Sequence, residues 1–418
     1  MISSETANNF IRYNKIALAV GFFITAFFLP IKTSLSNVGL ILIVTSSFLS
    51  ILSTGLSIDK NILKSPFILF VPLIIGVIYT KNIDETIHQW FKYLFLLTTP
   101  LLLLRKRSET TNLLKITAYG LVIGSLLSAI YLVGHNVYNF FLSGFSIKYL
   151  FSYYFTSDNF TAPLKDMHPI YLGSYYLFGV VLVFKAKNIS IPFFLKTLFS
   201  GILFIAILFC NSRVIFLAAF ICILSAPFVL KTSLKRKLLF VGAVLFMILI
   251  FIFFFKNTYV YNKIVKVTAW ELTENIGTAN IAPDAPGDSR MARWIVGWEA
   301  FKERPLFGYG TGMESETLME KYRTNNMQVS LERGYNAHNQ YLGYLIRFGL
   351  LGGLFIFGYV LLNSYLSFKQ RDMVYFSYIL IVGVVFLVEN YIDRNMGINF
   401  VALFGTLLCL NDKGTFKK

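Results

Sequence analysis

His338 stands at the head of a long apolar run, in the stretch Tyr-Asn-Ala-His-Asn-Gln. An imidazole titrates near neutrality, so this residue can take the proton of an attacking hydroxyl, or hold an anion by a hydrogen bond. Arg290 and Arg293 open an amphipathic stretch that also carries Trp294 and Trp298, and Arg213 opens an apolar run after Cys-Asn-Ser. Guanidinium groups fixed in a partly dry site stabilise negative charge developing on a leaving group. Arg213 and Arg290 lead as candidates, with Arg293 third. Their plain alternatives are a snorkelling anchor for Arg213 and a solvated helix face for the other two. Glu389 and Asp393 are four apart, a spacing that shares a helical face. Glu389 is expected to orient His338 or an arginine; the alternative is a local salt bridge with Arg394. His168 opens another apolar run and is a second candidate near an acceptor. His88 and His135 have no supporting motif. Asn339 adjoins His338, and Gly349 and Gly352 follow at offsets of about 20° and 40° on a helical wheel. If that stretch is one helix, His338 caps a small-residue stripe where another helix approaches. Arg347 falls on the opposite face from His338.

The elements that must position these groups are membrane helices. The chain has 418 residues, 56% hydrophobic and 14% charged, with a mean hydropathy of +0.63. Soluble domains carry about 25% charged residues, so an ordinary soluble or disordered chain is excluded. Cys210, Cys222 and Cys409 lie in apolar segments with no metal-type spacing. They read as small buried hydrophobes, and neither a disulfide scaffold nor a metal site is expected.

Twelve stretches approach the roughly 20 residues that cross a bilayer: 15–31, 37–56, 66–80, 91–104, 116–134, 168–184, 193–210, 214–230, 238–255, 339–367, 373–389 and 396–410. Several are short, so ten or eleven spans remain open. With the N-terminus inside, the inner segments hold twenty Lys and Arg and the short outer segments seven. That bias fixes both termini in the cytoplasm. It also accounts for the net charge of +17 without nucleic acid. The first run has no cleavage site and reads as an uncleaved helix. The runs are too long and continuous for a β-barrel.

The expected fold is therefore an all-α polytopic membrane protein of about 12 transmembrane helices. Residues 1–255 hold spans 1–9, 256–337 form one long external loop, and 338–418 hold spans 10–12. A second external loop at 135–167, rich in Tyr and Phe, reads as a re-entrant or surface helix. No internal repeat stands out.

The pattern His338-Asn339-x9-Gly349-x2-Gly352, opening a late span after a long external loop, resembles the O-antigen ligase / O-antigen polymerase superfamily. So do three other stretches: Cys-Asn-Ser-Arg at Arg213, Arg290 through Pro-Leu-Phe-Gly-Tyr-Gly at Gly308 and Gly310, and Val-Glu-Asn-Tyr-Ile-Asp-Arg at Glu389. The N-terminal half matches in hydropathy and in Met-His-Pro-Ile-Tyr at His168. The resemblance implies a metal- and cofactor-independent glycosyltransferase of C-type helical architecture in the bacterial inner membrane. The donor would be an undecaprenyl-diphosphate-linked glycan, and the acceptor lipid A–core or another glycan, met on the periplasmic face among membrane lipid. Arg213 and Arg290 would then steady the lipid diphosphate, and His338 would activate the acceptor hydroxyl. Trp294 and Trp298 would stack on sugars or line a polyprenyl groove, if they are not simply belt aromatics.

Ligase leads, polymerase follows closely, and a protein O-glycosylating transferase is third. The rival from another class is a polysaccharide or lipid transporter. Transporters place ionisable groups near the midplane and often repeat their halves; here the charges gather at one face.

Overall fold

The computed structural model describes residues 4–54, 60–104, 107–185, 191–242, 244, 259–277 and 287–411. These residues form helices and turns and contain no strand. Among the described residues, the helices before the long loop include α1 (Ser4–Phe28), α2 (Thr33–Thr54), α3 (Phe67–Gly76), α4 (Ile83–Thr98), α5 (Arg107–Ser143), α6 (Pro169–Lys185), α7 (Phe193–Cys210) and α8 (Arg213–Val229). The loop contributes α9 (Arg290–Glu303) and α10 (Glu314–Thr324), and the chain closes with α11 (Gln340–Gln370), α12 (Met373–Phe386) and α13 (Asn395–Leu410).

Among the described residues, five helices are long and apolar enough to span a membrane, among them α7 and α11. The pair Tyr153–Leu164 plus Pro169–Lys185 passes the same test only when taken together, and it is bent through 87°. Four shorter apolar helices, at Phe67–Tyr79, Arg213–Val229, Met373–Phe386 and Asn395–Leu410, match expected spans. The expected span at 238–255 lies largely outside the described residues.

Two boundaries differ from expectation. α5 runs on to Ser143, so the external segment begins later than residue 135. It then passes through short helical turns rather than one surface helix. The aromatic run from 91 ends as an α-helix at Thr98 and tightens into a 3₁₀ turn, Thr99–Leu104.

α13 is the centre of the bundle. Every residue from Met396 to Leu410 is buried, and the helix packs against α2, α4, α5 and α12. A helix without charges that is apolar all round can be enclosed on every side. The turn that leads into it folds close against its start: a Cβ at Gly397 would run into the Tyr391 carbonyl oxygen.

α11 is not one helix. Gly349 sits at φ 61°, ψ −150°, inside an otherwise helical run. The break removes i→i+4 bonds, and the long loop replaces them. Tyr309 N–H donates to Ile346 O at 3.1 Å and Gly310 N–H to Arg347 O at 2.8 Å. Leu350 N–H donates to Pro305 O at 2.7 Å and Leu351 N–H to Leu306 O at 3.3 Å. The Pro-Leu-Phe-Gly-Tyr-Gly segment is thus spliced into the helix ladder, which keeps the broken backbone satisfied within protein.

This overturns the small-residue stripe. A Cβ at Gly349 would run into the Leu306 backbone, and one at Gly352 would meet Tyr344 O of its own helix at 2.5 Å. Both glycines serve the break in α11 and its docked loop, not the approach of a neighbouring helix.

Candidate functional site

Arg213 is aimed by a helix-to-helix corner. α7 ends on Asn211 in the left-handed conformation, and α8 starts two residues later. The Arg213 side chain reaches across to the loop, donating to Thr268 Oγ1 at 3.2 Å and facing Glu271 Oε1 at 3.6 Å.

Arg290 and Arg293 are aimed by the start of α9. Ser289 caps that helix, its hydroxyl accepting from Ala292 N–H at 3.2 Å. The same hydroxyl donates to Thr273 O at 2.6 Å, and Ser289 N–H donates to Asn275 O at 2.9 Å. These bonds clasp the two sides of the loop and bring Glu271 to the N-terminus of α9. There the carboxylate accepts from Arg290 N–H at 2.8 Å, the favoured position for an anion.

Glu271 gathers all three arginines. Arg290 Nη1 stands 3.5 Å and Arg293 Nη2 4.0 Å from its oxygens, beside Arg213 at 3.6 Å. Among the described residues, three guanidinium groups thus converge on one carboxylate. Arg213 and Arg290 keep about a fifth of their side-chain surface exposed (19% and 21%). The buried Arg290 Nε has no hydrogen-bond partner among the described residues. A buried N–H without an acceptor is costly, and an entering anion would supply one.

Next to this cluster, Arg293 packs over the Tyr335 ring at 4.9 Å, and Tyr335 meets the His338 ring edge-on at 5.6 Å. His338 takes a left-handed φ of 47°, held by its N–H to Asn336 Oδ1 at 3.0 Å. Its Nδ1 faces Glu389 Oε2 at 3.3 Å. Burial pushes the imidazole below its ordinary value; Glu389 partly opposes this, while Arg293 and Arg290 add to it. The imidazole is therefore neutral at pH 7. Burial alone would raise the Glu389 carboxyl, but His338, His168 and Arg394 hold it down at about 2. The carboxylate fixes the proton on Nδ1 and leaves the Nε2 lone pair free of it.

The other expected residues divide. Asn339 caps α11 through Leu342 N–H, 3.1 Å from its Oδ1, and its own N–H is held by Asn390 Oδ1 at 2.8 Å. Trp294 Nε1–H donates to Ala337 O at 3.1 Å, which steadies the backbone beside His338. Trp298 is half exposed and lies against Phe301. His168 does not contact His338. It faces Asp158 at 3.9 Å and Tyr171, whose ring stacks on Tyr391 at 4.7 Å, next to the Glu389 turn.

Glu389 and Asp393 share no helical face, because α12 ends at Phe386 and a 3₁₀ turn, Tyr391–Asp393, follows. Glu389 turns to His338, and Asp393 turns to Arg347 at 3.3 Å. Arg347 also pairs with Glu314 at 3.1 Å and donates to Tyr93 Oη at 3.0 Å.

Glu271, Tyr335, Glu314 and Asn390 escaped the sequence reading. Glu271 follows an aromatic in Thr-Ala-Trp-Glu, a weak cue. Its pairing with Arg290 spans a separation that no periodicity reveals.

Residues 198–357 match a family model described as O-Antigen ligase. The match takes in Arg213, Glu271, Arg290, Arg293 and His338, and stops before Glu389. The chain finds no match among curated proteins.

Proposed function

We propose that the chain, whose residues 198–357 match the O-Antigen ligase family model, belongs to the O-antigen ligase/polymerase superfamily and is a membrane glycosyltransferase. It moves a glycan from undecaprenyl diphosphate to a hydroxyl of lipid A–core at the outer face of the bacterial inner membrane. The single observation that carries this reading is the three-arginine cluster gathered on Glu271, contiguous through Tyr335 with the His338–Glu389 pair.

The chemistry follows from that adjacency. The acceptor oxygen forms a bond to the anomeric carbon of the donor sugar, and its proton passes to His338 Nε2. The bond from that carbon to the diphosphate oxygen breaks, and its electron pair leaves with the diphosphate. Arg290, Arg213 and Arg293 stabilise the charge gained there, as preorganised donors do in a site of reduced dielectric. Glu389 stabilises the imidazolium formed on His338. No metal or cofactor enters this scheme. Tyr335 and Trp294 hold the two halves in register.

The test is a gel of surface glycans from host cells lacking the gene, complemented with the wild-type or the His338→Ala protein. Bare lipid A–core with polymer retained on undecaprenyl diphosphate supports a ligase. Core carrying a single repeat unit makes the protein a polymerase on the same machinery. A wild-type ladder from the His338→Ala complement removes His338 from the chemistry. An unchanged ladder in the deletion overturns the reading and returns the transporter to the front.

A further inference from the structure

A cleft of about 590 Å³ opens beside His168, lined by Asp158, Thr161, Lys165, Asp166, His168 and Arg394. That volume lies within the roughly 300–1,000 Å³ of small-molecule sites. None of these residues belongs to the arginine cluster or to the His338–Glu389 pair.

The cleft has a built frame. Its wall is two short helical turns, Asp158–Thr161 and Ala162–Leu164, set between two non-glycine residues at positive φ: Ser157 at 60° and Lys165 at 49°. Such conformations persist where the surroundings over-determine them. Here Ser157 N–H donates to Phe209 O at 2.9 Å, Lys263 Nζ donates to Ser157 Oγ at 2.6 Å, and Phe160 stacks on Phe209 at 5.4 Å. Asn136 holds Phe155 O at 3.1 Å. The wall is therefore fixed to α5 and α7.

The charges differ in kind from those of the arginine cluster. Asp158 and Asp166 are matched by Lys165 and Arg394, so with a neutral His168 the cleft carries no excess. A balanced set of donors and acceptors suits a neutral, hydroxyl-rich ligand, whose O–H groups donate to carboxylates and accept from cations. It gives a diphosphate no advantage over water. The cleft also adjoins the reacting groups. His168 and Arg394 lie on its wall and act on Glu389 from that side. Arg394 directly follows Asp393, in the turn that carries Glu389 and Asn390.

We propose that this cleft is the acceptor-sugar site, which binds the terminal saccharide of the acceptor glycan and selects it through Asp158 and Asp166. The proposal rests on the glycosyltransferase reading above and adds to it a place and a chemistry for the second substrate. Donor and acceptor then bind at separate places beside the His338–Glu389 pair, the anion at the arginines and the hydroxyls at the cleft.

The probe is the oligosaccharide released by mild acid from the surface glycan of cells lacking this gene. Its equilibrium binding is measured on the purified full-length protein and on two variants. Asp158→Asn/Asp166→Asn removes the carboxylates, and Ala162→Trp, at an exposed position on the rim, fills the cleft without touching a charge. Both should weaken binding by tenfold or more at an unchanged thermal midpoint. In a transfer assay with the lipid-linked donor, the acceptor KM should rise by the same factor while the donor KM stays put. Unchanged oligosaccharide binding in both folded variants overturns the proposal, as does a rise confined to the donor KM. Wild-type protein that binds the oligosaccharide at the cleft but transfers nothing leaves the cleft standing and defeats the glycosyltransferase reading instead.

Discussion

Two arginine–carboxylate clusters sit a short distance apart, and they are built on opposite plans. Around Glu271, three guanidinium groups share one carboxylate, two of them stay about one-fifth exposed, and Arg290 Nε is unmatched. Around Arg347, one guanidinium with no exposed surface meets two carboxylates, Glu314 and Asp393. Tyr93, Gly343 O, Asn390 and Gln340 bond the rest of that cluster. Among the described residues, the first gathers three guanidinium groups on one carboxylate and keeps an open donor. The second sets two carboxylates on one guanidinium that no solvent reaches. The same residue types thus make a place for a ligand in one case and a fastening between elements in the other. Arg347 ties α11 to α4, α10 and the turn after α12, and Asn390 hands that rigidity on to Asn339 and so to His338.

The sharpest way to break this contrast is to remove one arginine from each cluster. Arg347→Ala leaves two carboxylates buried beside each other, and breaking a buried pair from one side costs about 3–5 kcal/mol. The expected result is a large loss of thermal stability or of folded protein in detergent, followed by loss of transfer. Arg290→Ala should move stability by less than about 1 kcal/mol, the range of partly exposed pairs. It should lower transfer by roughly 10²–10³-fold, as deletion of a single preorganised donor does. Equal stability losses in the two variants would mean that both clusters are structural.

A smaller effect sharpens the account of Glu271. Glu271→Gln keeps an oxygen for the Arg290 N–H but deletes the carboxylate that the three arginines share. Binding of inorganic pyrophosphate should tighten several-fold, since the local charge becomes more positive by one at an effective dielectric near 20. Weaker binding would show that Glu271 matters more as an alignment post than as a counter-charge.

How much of this was legible in the sequence follows from the reach of each pattern. The runs of apolar residues locate nearly every described helix, because burial in lipid or in a helix bundle demands them residue by residue. The order of Arg213, Arg290 and His338 along the chain also carried their grouping, through the family resemblance. The break at Gly349 was not legible: a helical wheel assumes continuity, and the partner that makes the break tolerable is a loop some forty residues earlier. The small-residue spacing was real, but its cause was a docked Pro305–Gly310 segment. Asp393 was paired with Glu389 for the same reason, by extending a helix that ends at Phe386. The wheel also set Arg347 on the face opposite His338, but His338 stands outside α11 at a left-handed φ and has no helical face. What the wheel could not supply were Glu314 and Asp393, the partners that give Arg347 its own cluster.

The smallest expected effect is a shift in pH dependence, and it separates the two members of the His338–Glu389 pair. Burial lowers the His338 value, so the base form predominates at pH 7 and is lost as the pH falls through a value below the ordinary 6.5. Transfer should therefore be flat near neutrality and decline on the acid side below that point. Glu389 opposes the lowering, because its charge favours the imidazolium. Glu389→Gln removes that opposition, so the acid limb should move to still lower pH. The plateau should fall at the same time, by about 10²-fold or less, since the imidazolium formed in the reaction loses its counter-charge. Were Glu389 itself the base, the wild-type limb would lie near 2, where that carboxyl titrates, and Glu389→Gln would abolish transfer at every pH. A limb that moves upward in the variant contradicts the electrostatic account of the pair.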